Sequence, residues 1–455
     1  MRSLSFRRHL FVLALALVMA LGSVAAPWAV RPVAAADATI VFAALEVLRD
    51  GHVSAPDPLK LLAAAVDGVR RALAQAGITA TLPVVSAGNE TLARQEFQTF
   101  FDQAAAAAAG RVSETDLQHA AASAMAESLG DSHTAFIPPD RWQQIQREQR
   151  GEAGFTGVGI RLLPRDGRFY IQHVFPGSPA ARAGLRDFDR ITAVDGQSTE
   201  GMNSQTISSR IRGPQGTTVA ITVARPGQRE PLTVTITREP IVVPPADFRL
   251  LEGQVGYLRI FHFDRGAGNA TRRALQDLLQ QGMRALVLDL RGNPGGSVDE
   301  VISVASALLP EGLTIMVRES RNRRVTNSAI GGPILPPALP LVVLTDGGSA
   351  SGSEIVSAAV QDHQRGTLVG MRTAGALTAS QYFELPGGAA LQVTVSRVLT
   401  PKGTVVEGVG LQPDVEVDLT TADLDQGIDT QLQRALQQLP QRVLVPVQPV
   451  LVPAA

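Results

Sequence analysis

Residues 285–290 read A-L-V-L-D-L, six positions with a single polar residue. A strand that is apolar on both faces has to be covered on both, so this run fits the inside of a parallel sheet flanked by helices. It is followed by the turn R-G-N-P-G-G (291–296) and then by helical spacing from Val298 to Leu309. The pattern recurs at L-V-V-L-T (341–345), which runs into D-G-G-S-A-S-G-S-E-I (346–355) and another apolar helix. Upstream, V-G-Y-L-R-I (255–260) and a helix near Thr271 to Gln281 add a further strand and helix. Strands alternating with helices over residues 245–420 define an α/β core. Within it, R-N-R-R (321–324) marks a polar hairpin, with Arg321, Arg323 and Arg324 expected on a solvated face.

A chain of 455 residues is too long for one typical core. Residues 37–148 carry apolar positions at helical spacing over Ala38 to Leu48, Pro58 to Ala76, Glu90 to Ala109 and Glu114 to Leu129. Residues 150–240 change to short β-branched strands bounded by Gly, Pro and Asp. Pro244-Pro245 marks a linker to the core, and residues 421–455 read as one helix and a Pro- and Val-rich tail. The expected architecture is multidomain α/β: a helical N-terminal region, a β-domain and an α/β core.

At the N-terminus, Arg2, Arg7 and Arg8 precede an apolar run from Leu10 to Leu21, and Ala34-Ala35-Ala36 ends a small-residue stretch. Residues 1–36 therefore read as a signal peptide, with an uncleaved membrane anchor as the alternative. Both place the body of the protein outside the cytoplasm, in the periplasm or extracellular space. The net charge of -1 gives no electrostatic reason to expect nucleic acid. With no cysteine there is no disulfide, no thiolate metal site and no thiol nucleophile. No metal or nucleotide motif appears, since D-L-R-G-N-P-G-G lacks the Lys-Ser/Thr ending of a phosphate loop. No cofactor is expected. There are two lysines, Lys60 and Lys402.

Ser351 sits at the strand-to-helix turn between Ala350 and Gly352, where a hydroxyl is exposed and the helix N-terminus favours negative charge. Helix capping is the other use of such a serine, and Ser349 or Ser353 with Glu354 suits it. The glycines Gly295 and Gly296 let backbone approach a substrate, so an N–H there, together with that of Gly352, could form an oxyanion hole. A tight strand-to-helix turn needs the same residues.

The segment with G-V-G-I (157–160) and G-S-P-A-A-R-A-G-L-R-D-F-D-R-I-T-A-V-D-G (177–196) resembles a PDZ domain. That resemblance implies backbone N–H groups of Val158, Gly159 and Ile160 holding a peptide's terminal carboxylate. The alternative is a spacer domain. The succession R-G-N-P-G-G, G-S-A-S-G-S-E-I, T-P-K-G and G-V-G-L-Q-P-D resembles the carboxyl-terminal processing, or tail-specific, serine proteases, over roughly residues 120 to 420. It implies a hydrolase cleaving protein or peptide substrates, with Ser351 as nucleophile.

In the bacterial members a lysine serves as base within a G-x-x-T-x-G-K-x-x-x-Q type stretch. Here the stretch is G-M-R-T-A-G-A-L-T-A-S-Q, so Ala376 stands at the lysine position and Ser380 at that of the glutamine. Arginine does not deprotonate at working pH and cannot stand in. The tricorn-type branch pairs serine with histidine instead. L-G-D-S-H-T resembles its serine-histidine segment and puts Ser132 and His133 in place. V-V-E-G-V-G-L-Q-P-D resembles its glutamate segment and puts Glu407 in place. On this resemblance His133 takes the proton of Ser351, while Ser132 or Glu407 orients the ring or stabilises its charge. Without that context His133 is a loop residue capped by Asp131. His52, His119, His173, His262 and His363 read as structural. A PDZ-containing peptide-binding protein without catalysis remains the alternative that the missing lysine suggests.

Overall fold

The computed structural model describes residues 38–440 apart from 87, 132 and 150–154. The signal-like N-terminus, the C-terminal tail and Ser132 thus lie outside the described residues. Among the described residues no helix is long and apolar enough to cross a membrane, and no group of three His, Asp or Glu side chains could hold a metal ion.

Four helices open the chain: α1 (Thr39–Gly51), α2 (Pro58–Gln75), α3 (Glu90–Ala108) and α4 (Glu114–Glu127). Their starts are set by side chains that accept otherwise unpaired N–H groups: Asp57 from Leu59, Asn89 from Leu92 and Ser113 from Asp116. Their apolar faces bury Phe97, Phe100 and Phe101 completely. The same cluster takes in Leu385, Leu391 and Val393 from far along the chain. The helical region is therefore packed onto the core, and the chain leaving α4 runs directly into strand β1 (Ala135–Ile137). Helix α5 (Pro139–Gln149) leads on toward the β-domain.

That domain comprises β2 (Phe155–Gly157), β3 (Ile160–Arg165), β4 (Arg168–Val174), α6 (Pro179–Arg182), β5 (Arg190–Val194), β6 (Gln197–Ser198), α7 (Ser204–Ile211), β7 (Thr218–Ala224), β8 (Leu232–Thr237) and β9 (Glu239–Ile241). Its main sheet has the order β3-β4-β5-β7-β8 with β6 on β5, and β2 pairs with β9. It encloses its own apolar core around Phe169, Ile171, Ile191, Ile207 and Ile221.

The core begins with β10 (Ala246–Leu251), β11 (Val255–Ile260), α8 (Ala267–Gln280), β12 (Ala285–Asp289) and α9 (Val298–Leu308). It continues with β13 (Thr314–Ser320), β14 (Arg323–Ser328), β15 (Leu341–Thr345), α10 (Gly352–Asp362) and β16 (Thr367–Gly370). The hairpin strands β17 (Thr378–Glu384) and β18 (Ala390–Leu399) follow, then β19 (Val415–Glu416). One sheet has the order β10-β11-β12-β15-β16-β19, parallel from β11 to β19. Strands β12 and β15 are buried along their whole length, as their apolar runs require. A second sheet, β1-β18-β13-β14 with β17 on β18, carries the helical region.

Two readings of the sequence change. The described residues beyond 420 form two short helices rather than one, α11 (Thr421–Gln426) and α12 (Thr430–Gln438), separated at the left-handed Gly427 (φ 72°). Arg321 is exposed but not merely solvated: it donates to the carbonyls of His52 and Arg49 and ties the β13–β14 hairpin to α1.

Candidate active site

Ser351 lies between β15 and α10 with φ 50° and ψ −107°, a backbone conformation rare for a residue with a side chain. The surrounding bonds enforce it. The Ser349 hydroxyl donates to the Leu290 carbonyl (2.9 Å) and that of Ser353 to the Asn293 carbonyl (2.9 Å), while the Ala350 N–H donates to the same Asn293 oxygen (3.0 Å). Ser349 and Ser353 are fully buried and cross-link the turn to R-G-N-P-G-G. Ser351, between them, is partly exposed in the wall of a large cavity. It is also the N-cap position of α10, so capping and an exposed hydroxyl fall on one residue.

The Glu354 carboxylate, fully buried, closes that cap. Oε2 accepts the Ser351 N–H (3.0 Å) and the Ala376 N–H (3.0 Å); Oε1 accepts the Thr373 hydroxyl (2.6 Å) and the Gly375 N–H (2.7 Å). Four donors on one carboxylate compensate its burial. Two N–H groups on one oxygen bring Ala376, the position of the absent lysine, close to Ser351. Glu354 looked like a capping residue from its spacing; its contacts 19 to 22 residues away had no sequence signal.

The candidate oxyanion glycines separate into two uses. The Gly295 N–H is occupied by the Asn293 side-chain oxygen (2.9 Å), so Gly295 is not a free donor. It is needed for space and conformation. Its φ is 102°, and a Cβ there would come 2.7 Å from Ser351 Cβ and 2.9 Å from the Gly352 nitrogen. Phe263 brackets Gly296, taking a bond from the Ser297 N–H and giving one to the Gly295 carbonyl. The intervening Gly296 N–H consequently points the other way. The Gly352 N–H heads α10 and has no intrahelical acceptor. Gly296 and Gly352 both line the cavity beside Ser351.

His133 lines this cavity too. Its loop is held by Asp131, which accepts the His133 N–H (2.8 Å), the Thr134 hydroxyl (2.9 Å), the Thr394 hydroxyl (2.9 Å) and the ring of buried His52 (2.6 Å). Burial alone would raise the Asp131 carboxyl, but these hydrogen bonds, that of His52 foremost, outweigh it and hold it well below the carboxylate range. Glu407 is not among the residues lining the cavity; its Oε2 accepts the Leu377 N–H (2.6 Å) next to Ala376. Neither lysine lines the cavity. Lys60 lies in α2, and the Lys402 ammonium is 3.9 Å from Asp362.

The cavity measures about 2050 Å³ and runs from Ser351 to the β-domain. Its wall there includes Val158, Gly159, Ile160 and Leu162, facing Ser204, Ser208 and Ile211 of α7. Gly159 has φ 81°, and a Cβ would sit 2.3 Å from that of Ser178, so no side chain fits at this bend.

A partly exposed serine at a strained strand-to-helix turn, two available backbone N–H groups and a peptide-sized cleft are the parts that a serine-type peptidase requires. Comparison with known proteins agrees. Residues 254–417 match the model of peptidase family S41 and residues 143–224 that of the PDZ domain. The carboxyl-terminal-processing protease of Synechocystis sp. is 34% identical over 322 residues, 69% of this chain and 75% of the relative. That of Picosynechococcus sp. is 33% identical over 332 residues, covering 72% and 80%. Among solved structures, the photosystem II D1 C-terminal processing protease shares the fold, with a TM-score of 0.53 and 24% identity over 90% of this chain and 98% of that one. A putative S41 protease from Bacteroides fragilis has a TM-score of 0.56 at 18% identity, covering 87% and 96%. The chain belongs to peptidase family S41 and is a carboxyl-terminal-processing serine protease with a PDZ domain.

Proposed function

We propose that the protein is an exported endopeptidase that selects substrates by their free C-termini and cleaves them with Ser351 as nucleophile and His133 as general base. The observation that carries this reading is at Ala376. The family's lysine position shares a Glu354 oxygen with the nucleophile's own N–H, yet holds only a methyl group. His133 is on the wall of the same cavity.

The imidazole removes the Ser351 proton as Oγ bonds to the scissile carbonyl carbon. The carbonyl oxygen takes the negative charge, received by the N–H groups of Gly296 and Gly352. Collapse expels the amine, which leaves with the proton from the imidazolium. Water, deprotonated by the same ring, then releases the acyl group. Ser132 or Glu407 orients the ring or offsets its charge; the bond from Leu377 gives Glu407 the further task of fixing the turn beside Ala376. Val158, Gly159 and Ile160 receive the substrate's terminal carboxylate. Export rests on the basic and apolar N-terminus, which either is cut near Ala36 or stays as a membrane anchor for the exported body.

Labelling of the full chain by a fluorophosphonate tests the chemistry. The wild type should be labelled, Ser351→Ala not at all, and His133→Ala more slowly by about 10²–10⁴-fold. Undiminished labelling of His133→Ala would move the base elsewhere.

A further inference from the structure

The last two helices touch both halves of the catalytic problem within a few residues. On α11, the Asp425 carboxylate accepts from Arg168 (2.7 Å) and from the Tyr170 hydroxyl (3.0 Å), both on β4 of the PDZ domain. Leu419 and Leu424 pack with Tyr170, Leu163 and Phe188 of that domain, and Asp418 pairs with Arg165. Four residues after Asp425, Asp429 turns to the core. Its carboxylate takes both terminal nitrogens of Arg291, at 2.9 and 2.8 Å, and Gln431 accepts a third bond from them (3.0 Å). The other edge of Arg291 is held by Asp289, at 3.0 and 2.7 Å. All five guanidinium N–H donors are thereby used.

Arg291 is the first residue of R-G-N-P-G-G. Two residues on, Asn293 binds the Ile260 carbonyl and the Gly295 N–H, and the free Gly296 N–H follows. The place of Arg291 thus sets where that N–H points.

We propose that residues 418–431 are a strap that carries the seating of the PDZ domain to the oxyanion loop, with Asp429 as a positioning residue for that loop. The two ends differ in the way such a device needs. At the PDZ end Asp425 and Arg168 are 39% and 46% exposed, and an exposed pair breaks readily. At the core end Arg291 and Asp289 are buried, and Asp429 is nearly so. A buried, fully satisfied network stays made and moves as one piece. Gly427, in the left-handed conformation between α11 and α12, is the joint. The strap rests on Gly296 serving as an oxyanion donor, but its mechanical part can be measured without catalysis.

Amide hydrogen exchange on the full chain with Asp425→Ala is the deciding measurement. That substitution lies on α11 and outside the catalytic residues. The strap predicts faster exchange over residues 291–297, which Asp425 does not touch, with the melting temperature within a few degrees of the wild type. Unchanged exchange there overturns the proposal, whether or not the enzyme turns over.

The catalytic arm uses Asp429→Asn and Asp429→Glu on a peptide substrate. Asp429→Asn should lower kcat by about tenfold or more, since oxyanion donors act on the transition state, and leave KM within about twofold. Asp429→Glu should recover part of the loss. Loss in KM alone, or no recovery by the conservative variant, overturns the positioning role. Absence of fluorophosphonate labelling in the wild type would instead overturn the nucleophile and leave the exchange result standing.

Discussion

At the scale of single residues the site turns on one carboxylate. Glu354 is fully buried and has four donors, three of them backbone N–H groups. Glu354→Gln keeps the shape but aims an amide NH₂ at donors on one side. Leaving buried donors unpaired costs about 1–3 kcal/mol each, so Glu354→Gln should lose about 3 kcal/mol in urea unfolding and most of its turnover. A fully active, equally stable Gln variant would mean that the turn is held by other contacts. The geometry at Ala376 makes a second prediction. A lysine there stands beside Ser351, so Ala376→Lys in a His133→Ala background should recover at least about tenfold of the lost rate. Its acid limb in log kcat/KM should lie above that of the wild type, since an amine holds its proton to higher pH than an imidazole does. Recovery with an unmoved limb would show that the added amine is not the base.

At the scale of elements, the loop from α4 to β1 brings His133 to the cavity, and Asp131 is what fixes it. Its carboxyl is held below its ordinary value, so the folded state favours the charged form. That contribution is complete above the unfolded carboxyl pKa, about 3.9, and is lost as pH falls further toward the folded value. Asp289 behaves in the same direction: burial opposes its charge, and Arg291 and Arg259 outweigh it. Unfolding free energy should accordingly decline below about pH 4. Asp131→Asn should be less stable at pH 7 and show a shallower acid decline. Parallel acid limbs in the two proteins would remove Asp131 from this role. The loop's partners were not legible in the sequence: His52 is 79 residues upstream and Thr394 is 263 downstream.

At the scale of the whole molecule, one cavity joins the PDZ edge to Ser351, so on the proposed reading recognition and cleavage share a single cleft. A peptide held by its carboxylate at Val158 to Ile160 would present upstream residues to Ser351. Calorimetry on full-length Ser351→Ala with one apolar-ended peptide as acid and as amide should give weaker binding for the amide, because the charged acceptor is gone. Equal affinities would leave selection to the protease core alone. Helices α1 to α4 complete the molecule by covering the β17–β18 hairpin; Leu391, fully buried there, belongs to their core. The cavity and the loop of His133 therefore rest on an N-terminal region remote from the serine motif.

The sequence by itself determined whatever depends on neighbours along the chain. The apolar runs at 285–290 and 341–345 became buried parallel strands because period and composition act locally. The motif order specified the family, the serine at the turn and the loss of its lysine. Only the tertiary structure decided which glycine N–H groups are free, since Gly295 loses its donor to a folded Asn293 side chain. Only the fold, too, turned Arg321 from a solvated charge into a tie, split the last helix at Gly427 and set Asp429 against Arg291. Each of these depends on a hydrogen bond or ion pair whose geometry is set by the fold around it, and hydrophobic periodicity carries no record of such partners.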